Sequence, residues 1–155
     1  MMYELILYAH VIGACVLLGT GAGIAFFMLI SNRSRNPGLI AHTAGIVVLA
    51  DFVFTATAAV AQPVTGLLLV SLGGWSILEP WIVLSIILYV IVGVFWLPVV
   101  WMQKRMQRLA EAARDNGSAL PESYHRLYRL WFLFGFPAFF SMLGIIWLML
   151  HKPDF

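Results

Sequence analysis

The chain has 155 residues, of which 62% are hydrophobic and 10% charged, whereas a soluble domain is about 45–50% apolar and about 25% charged. So little polar surface excludes a soluble globule, and four spans of about 20 residues each would use most of the length, leaving no room for a separate soluble domain. A formal charge of +2 without a basic patch excludes nucleic acid as a partner, and a single cysteine, Cys15, excludes an intrachain disulfide and a cysteine-based metal cluster.

The first apolar run covers residues 5–30 and ends in the basic, turn-forming segment Ser31-Asn32-Arg33-Ser34-Arg35-Asn36-Pro37-Gly38. Ile12-Gly13-Ala14-Cys15 has the small-residue look of a lipidation box. No positive charge precedes it and the apolar run continues past Cys15, so it reads as a retained first span. A second run, residues 40–70, is longer than a bilayer needs and contains Asp51 and Gln62-Pro63, which predicts tilt, a kink near Pro63 or a protruding end. Leu72-Gly73-Gly74-Trp75-Ser76 breaks it.

The third run, residues 81–101, carries aromatic residues at both ends as interfacial anchors. Its helical spacing continues through Gln103-Lys104-Arg105-Met106-Gln107-Arg108-Leu109-Ala110-Glu111, which predicts a helix extending beyond the bilayer. A polar loop around Asp115-Asn116-Gly117-Ser118 separates it from the last run, residues 130–150, and His151-Lys152-Pro153 follows. The fold expected is an all-α, integral membrane four-helix bundle. Arg33 and Arg35 lie in the first loop, and Lys104, Arg105, Arg108, Arg114, Arg126 and Arg129 lie between spans three and four. The positive-inside rule therefore places those loops in the cytoplasm and both termini in the periplasm of a bacterial inner membrane.

Polar side chains at bilayer depth are costly unless paired, hydrated or bound, so they are the candidate sites. His10 lies in the outer half of span one, with Gly13, Ala14, Leu17, Thr20 and Gly21 sharing its face. Its functional readings are an axial ligand to haem iron or a proton-handling group; the structural alternative is a histidine bonded to a neighbouring helix. Asp51, Thr55, Ala58, Gln62 and Thr65 form a stripe on span two, able to line a proton path or cavity or to form a hydrogen-bonded seam. Span three carries a line through Ser85, Tyr89, Val92 and Trp96, and Pro98 predicts a kink at its inner end. His42 points away from Asp51 and lies at the opposite end from His10, which rules out a bis-histidine haem from that pair. His125 and His151 fall at the membrane edges. Arg105, Arg108, Arg126 and Arg129 read as a lipid-headgroup anchor, with an anionic ligand as the other reading. No phosphate loop, HExxH, serine elbow, CxxC or Met-rich or Cys-rich copper site occurs.

Leu18-Gly19-Thr20-Gly21-x-Gly23-Ile24-Ala25-Phe26-Phe27, Leu49-Ala50-Asp51, Gln62-Pro63-x-Thr65-Gly66, Trp96-Leu97-Pro98-Val99-Val100-Trp101 and Lys152-Pro153 together resemble the bacterial domain-of-unknown-function family 2269 of predicted integral membrane proteins. That resemblance spans nearly the whole chain and implies no established activity. A more distant likeness is to HemJ-type protoporphyrinogen oxidases and CopD-like membrane proteins. It implies that His10 corresponds to their haem-linked histidine, Thr65-Gly66 to a threonine-glycine pair in span two, and Lys152-Pro153 to a terminal lysine-proline. Ser85, four residues after Trp81, stands where HemJ-type proteins carry a lysine.

Three functions are expected in order. The first is binding of haem b or a related redox cofactor by His10, with Thr20, Thr65, Ser85 and Tyr89 around it, Asp51, Thr55 and Gln62 as a proton or ion path, and a redox partner in the membrane. The second is a small ion-coupled transporter working through Asp51, acting as a homo-oligomer because four helices enclose little space. The third is an accessory or assembly subunit of a larger membrane complex.

Overall fold

Backbone N–H and C=O groups surrounded by lipid must find partners within their own segment, so long apolar runs fold as helices. The computed structural model describes residues 1–153, and every regular element there is helical. Helix α1 is Met2–Arg33, α2 is Pro37–Ala50, a π-helical turn covers Asp51–Thr55, and α3 is Ala56–Leu72. Helices α4, Pro80–Asp115, and α5, Glu122–His151, complete the chain. Helix α2, the π turn and α3 form one continuous rod, Pro37–Leu72, so four rods are long and apolar enough to cross a membrane.

The rods outrun the apolar segments. Helix α4 has 36 residues and α5 has 30, which at about 1.5 Å per residue exceeds a hydrocarbon core of about 30 Å. The helix expected to continue past Trp101 runs on to Asp115, and α5 begins eight residues before the apolar run, at Glu122 rather than 130. Amphipathic ends outside the lipid explain both extensions.

Local chemistry sets the ends. The Asn36 side chain accepts hydrogen bonds from the N–H groups of Gly38 (2.9 Å) and Leu39 (3.2 Å), and Pro37 occupies the first turn of α2. Gly74 (φ 69°) and Gly117 (φ 60°) take left-handed conformations after α3 and α4, and the next N–H in each case reaches back, Trp75 to Val70 and Ser118 to Ala113.

Packing divides the molecule. Helix α1 lies against α3 and α2, while α4 lies against α5 and α2. At the end that carries every lysine and arginine but Lys152, Met28, Ile40, Ala44, Met102, Met106, Ala110 and Tyr124 form a dense core. There the Tyr124 hydroxyl donates to Asn32 Oδ1 at 3.2 Å, joining the end of α1 to the start of α5. At the opposite end Trp81, Ile82 and Leu148 form a smaller core. The Lys152 ammonium sits 4.9 Å from the Trp75 ring centre and ties the tail to the α3–α4 turn. Large apolar side chains such as Phe26, Leu49, Phe54, Val90 and Phe140 are exposed around the outside, as the lipid contact of an integral membrane bundle requires.

Candidate functional site

The polar groups within the bundle fall into two sets with different hydrogen bonding. The first set is a seam between α1 and α3. His10 Nδ1 and Thr65 Oγ1 are 2.7 Å apart, and the Gln62 amide donates to the His10 carbonyl oxygen, also at 2.7 Å. Small residues let the helices approach this closely: a Cβ at Gly13 would collide with the Gln62 amide, and one at Gly66 would stand 3.3 Å from His10 Cε1. The Thr65 hydroxyl also lies 2.8 Å from the Ala61 carbonyl. A hydroxyl has one proton, so when it donates to Ala61 it accepts from His10 Nδ1–H, and the lone pair remains on Nε2.

The second set surrounds a cavity of about 720 Å³ between α1, the π turn, α3, α4 and α5. Its wall is apolar except at one end, where Asp51, Thr55, Trp96, Gln103 and Trp131 converge. Asp51 is 3% exposed and Gln103 1% exposed. The Trp96 N–H donates to Asp51 Oδ1 at 3.3 Å. The second carboxylate oxygen of Asp51, the Thr55 hydroxyl, both polar side-chain atoms of Gln103 and the Trp131 N–H have no hydrogen-bond partner within 3.5 Å, although the Thr55 and Gln103 side chains stand beside the Asp51 carboxyl; away from the cavity the Tyr128 hydroxyl is likewise unpartnered. The π turn helps to place this group, because its wide turn, with the Ala56 N–H bonded to the Asp51 carbonyl, keeps Asp51 and Thr55 both buried on the inner face. Gly21, Gly93 and Gly135 keep the chamber open, since a Cβ on any of them would meet no heavy atom within 4 Å.

The structure thus separates residues that the sequence reading grouped. His10, Gln62 and Thr65 form the seam. Asp51, Thr55 and Tyr89 line the cavity, and the Tyr89 hydroxyl donates to the Ala59 carbonyl on α3. Thr20 is half-buried outside the cavity, and the Ser85 hydroxyl bonds back to Trp81 within its own helix at 2.7 Å. The space between the helix pairs, about 720 Å³, opens to the outside of the bundle where Val60, Leu97 and Phe136 are exposed. The cause is the division into two helix pairs, with cores at the two ends and none between them.

Gln103 and Trp131 were not anticipated. Gln103 lies seven residues beyond Trp96, on the same helical face as the Ser85–Tyr89–Val92–Trp96 line, so extending that line by two turns reaches it. No sequence signal distinguishes Trp131 from the interfacial tryptophans. Among the described residues no three His, Cys, Asp or Glu side chains come together to hold a metal ion. His42, His125 and His151 are all exposed.

A profile of the family described as "Predicted integral membrane protein (DUF2269)" matches residues 4–153. Neither a curated protein nor a solved structure matches the chain. The likeness to HemJ-type and CopD-like proteins is not shown by these comparisons. A four-span apolar bundle matched over almost its full length to one family places the chain: it belongs to the DUF2269 family of predicted integral membrane proteins.

Proposed function

We propose that this protein binds one small amphipathic molecule within the bilayer and acts as a carrier for it, with the apolar body of the ligand between the two helix pairs and its polar end on the Asp51 cluster. In the inner membrane of a bacterium the basic end would face the cytoplasm, by the positive-inside rule. One observation carries this reading: several buried polar atoms without partners converge on one end of a single cavity. Each such atom costs about 1–3 kcal/mol when left unsatisfied. In the seam a few turns away, by contrast, the side chains of His10, Gln62 and Thr65 are all bonded. A ligand that fills the apolar chamber and completes these hydrogen bonds accounts for both features.

The test is native mass spectrometry of the protein released from mild detergent, comparing wild type with Gly93→Leu. The leucine side chain would enter the open space beside Gly93 while improving local helix propensity. The expected result is a co-purified small-molecule adduct on the wild type that is absent from the variant. A folded wild type without an adduct, from cells grown on rich medium, would count against the proposal.

A second reading, haem b on His10, is supported by the Thr65 bond, which orients the ring and leaves the Nε2 lone pair that an axial ligand needs. When bound, haem would supply one-electron chemistry, and His10 and Thr65 would be the residues that hold and orient it. Space is the weaker part of the fit, because the cavity lining on α1 starts at Leu17, about two turns inward of His10. An absorption spectrum of wild type and His10→Ala decides it: a Soret band lost in the variant supports haem, and a colourless folded wild type from haem-replete cells removes it.

A further inference from the structure

The charge inventory of the cavity is unusually simple. Asp51 is the one formally charged side chain that lines it; no lysine, arginine or histidine does. The ion pairs among the described residues, Met1 with Glu4, Arg114 with Asp115 and Arg129 with Glu122, are all at exposed positions. Lys104 follows Gln103 in sequence, yet its ammonium lies 4.6 Å from the centre of the Phe52 ring, and Phe52 is exposed on the outside of the bundle. Asp51 is therefore a buried carboxyl that accepts from the Trp96 N–H, has the Thr55 hydroxyl and the Gln103 amide beside it, and has no cationic partner among the described residues.

The wall around this carboxyl is rich in π faces. Tyr89, Trp96, Trp131, Phe132, Phe136 and Phe139 all border the chamber. An aromatic ring presents negative potential at its face and attracts a cation, and the attraction grows when both are removed from water. One carboxylate with several rings in a low-dielectric chamber selects for a single positive charge and repels anions.

From this we infer that the ligand of the cavity is an organic cation, a protonated or quaternary amine on a compact apolar body, with its charge lodged between Asp51 and the surrounding aromatic rings. The inference rests on the binding reading above and names its substrate class. A bare alkali or divalent ion fits less well on two counts. It would leave the donors Trp131 Nε1 and Gln103 Nε2 unpaired, and it would leave an apolar chamber of about 720 Å³ unfilled. A ligand with an acceptor oxygen close to its charged nitrogen engages the donors and the carboxylate together.

The experiment is equilibrium binding to the full chain in mild detergent with two probes that differ only in charge, the benzyltrimethylammonium cation and its neutral carbon isostere neopentylbenzene, using wild type, Asp51→Asn and Gly93→Leu. The expected result is that wild type prefers the cation and that Asp51→Asn weakens cation binding by about thirtyfold or more. The same variant should bind the neutral probe as wild type does, which also shows that it is folded, and Gly93→Leu should lose both probes. Equal binding of the two probes, unaffected by Asp51→Asn and abolished by Gly93→Leu, would overturn the cationic assignment while leaving the binding reading in place. If neither probe binds folded wild type, the cationic assignment is overturned, and the binding reading then depends on the mass-spectrometric adduct. Should Asp51→Asn fail to fold, the wild-type preference between the probes still decides the assignment.

Discussion

A methyl group on residue 13 would occupy the space where the Gln62 amide stands, and that amide is what holds the His10 carbonyl from α3. Gly13→Ala should therefore push Gln62 aside and separate α1 from α3, at a cost of about 1–3 kcal/mol, the usual range for overpacking a close contact. The measurement is the thermal unfolding midpoint in mild detergent, which should fall. Because the clash involves one partner, Gly13→Ala combined with Gln62→Ala should cost less than the sum of the two changes. Strict additivity would mean that the two residues do not meet. The small face beside His10 and the stripe carrying Gln62 were both legible in the sequence as helical periodicities. Their pairing was not, since periodicity reports which face of a helix is special and not which neighbour that face meets. For the same reason periodicity does not tell whether the His10 face and the Asp51 stripe meet; in the structure His10 belongs to the α1–α3 seam and Asp51 to the cavity.

Proline 63 has no N–H to offer the carbonyl four residues earlier, Ala59, so α3 carries an acceptor that its own backbone leaves unbonded. The Tyr89 hydroxyl on α4 supplies the missing donor, so the helix runs on through Pro63, and the 36 residues of Pro37–Leu72 are longer than a bilayer needs, as the second apolar run predicts. The same bond spans the two helix pairs beside the cavity. Tyr89→Phe should destabilise the bundle by about 1 kcal/mol. In a Pro63→Ala background the helix provides its own N–H, and the same change should cost little. Equal losses in both backgrounds, read as melting midpoints, would show that the proline and the tyrosine are not coupled. At this scale the long helices, the α3–α4 break and the extension of α4 were legible from apolar run length and turn residues. The π turn was not: its residues, Asp51-Phe52-Val53-Phe54-Thr55, are as compatible with an ordinary α-helical turn, and the other rod that packs most closely against it is α1.

Two cores at opposite ends with a chamber between them make orientation in the membrane consequential for the whole molecule. The basic end carries Arg33, Arg35 and the six cations of the α4–α5 region, while the other end carries Lys152. That asymmetry predicts the α1–α2 and α4–α5 connections on the cytoplasmic side. Fourteen residues of α2 separate the basic end of the second rod from Asp51, and seventeen residues of α3 lie beyond the π turn. At about 1.5 Å per residue the Asp51 cluster is then some 21 Å along the rod from its cytoplasmic start, and a ligand arriving from the periplasmic side passes the apolar chamber before it reaches the carboxyl. Orientation can be read by placing single cysteines at Ser76 and Ser118, both exposed and in connections at opposite ends, in a Cys15→Ser background. A membrane-impermeant maleimide added to intact cells should label position 76 and reach position 118 only after lysis. The reverse pattern would turn the bundle over, place the Asp51 cluster on the periplasmic side of the chamber, and reverse the order in which a ligand entering from either face meets the apolar wall and the charge.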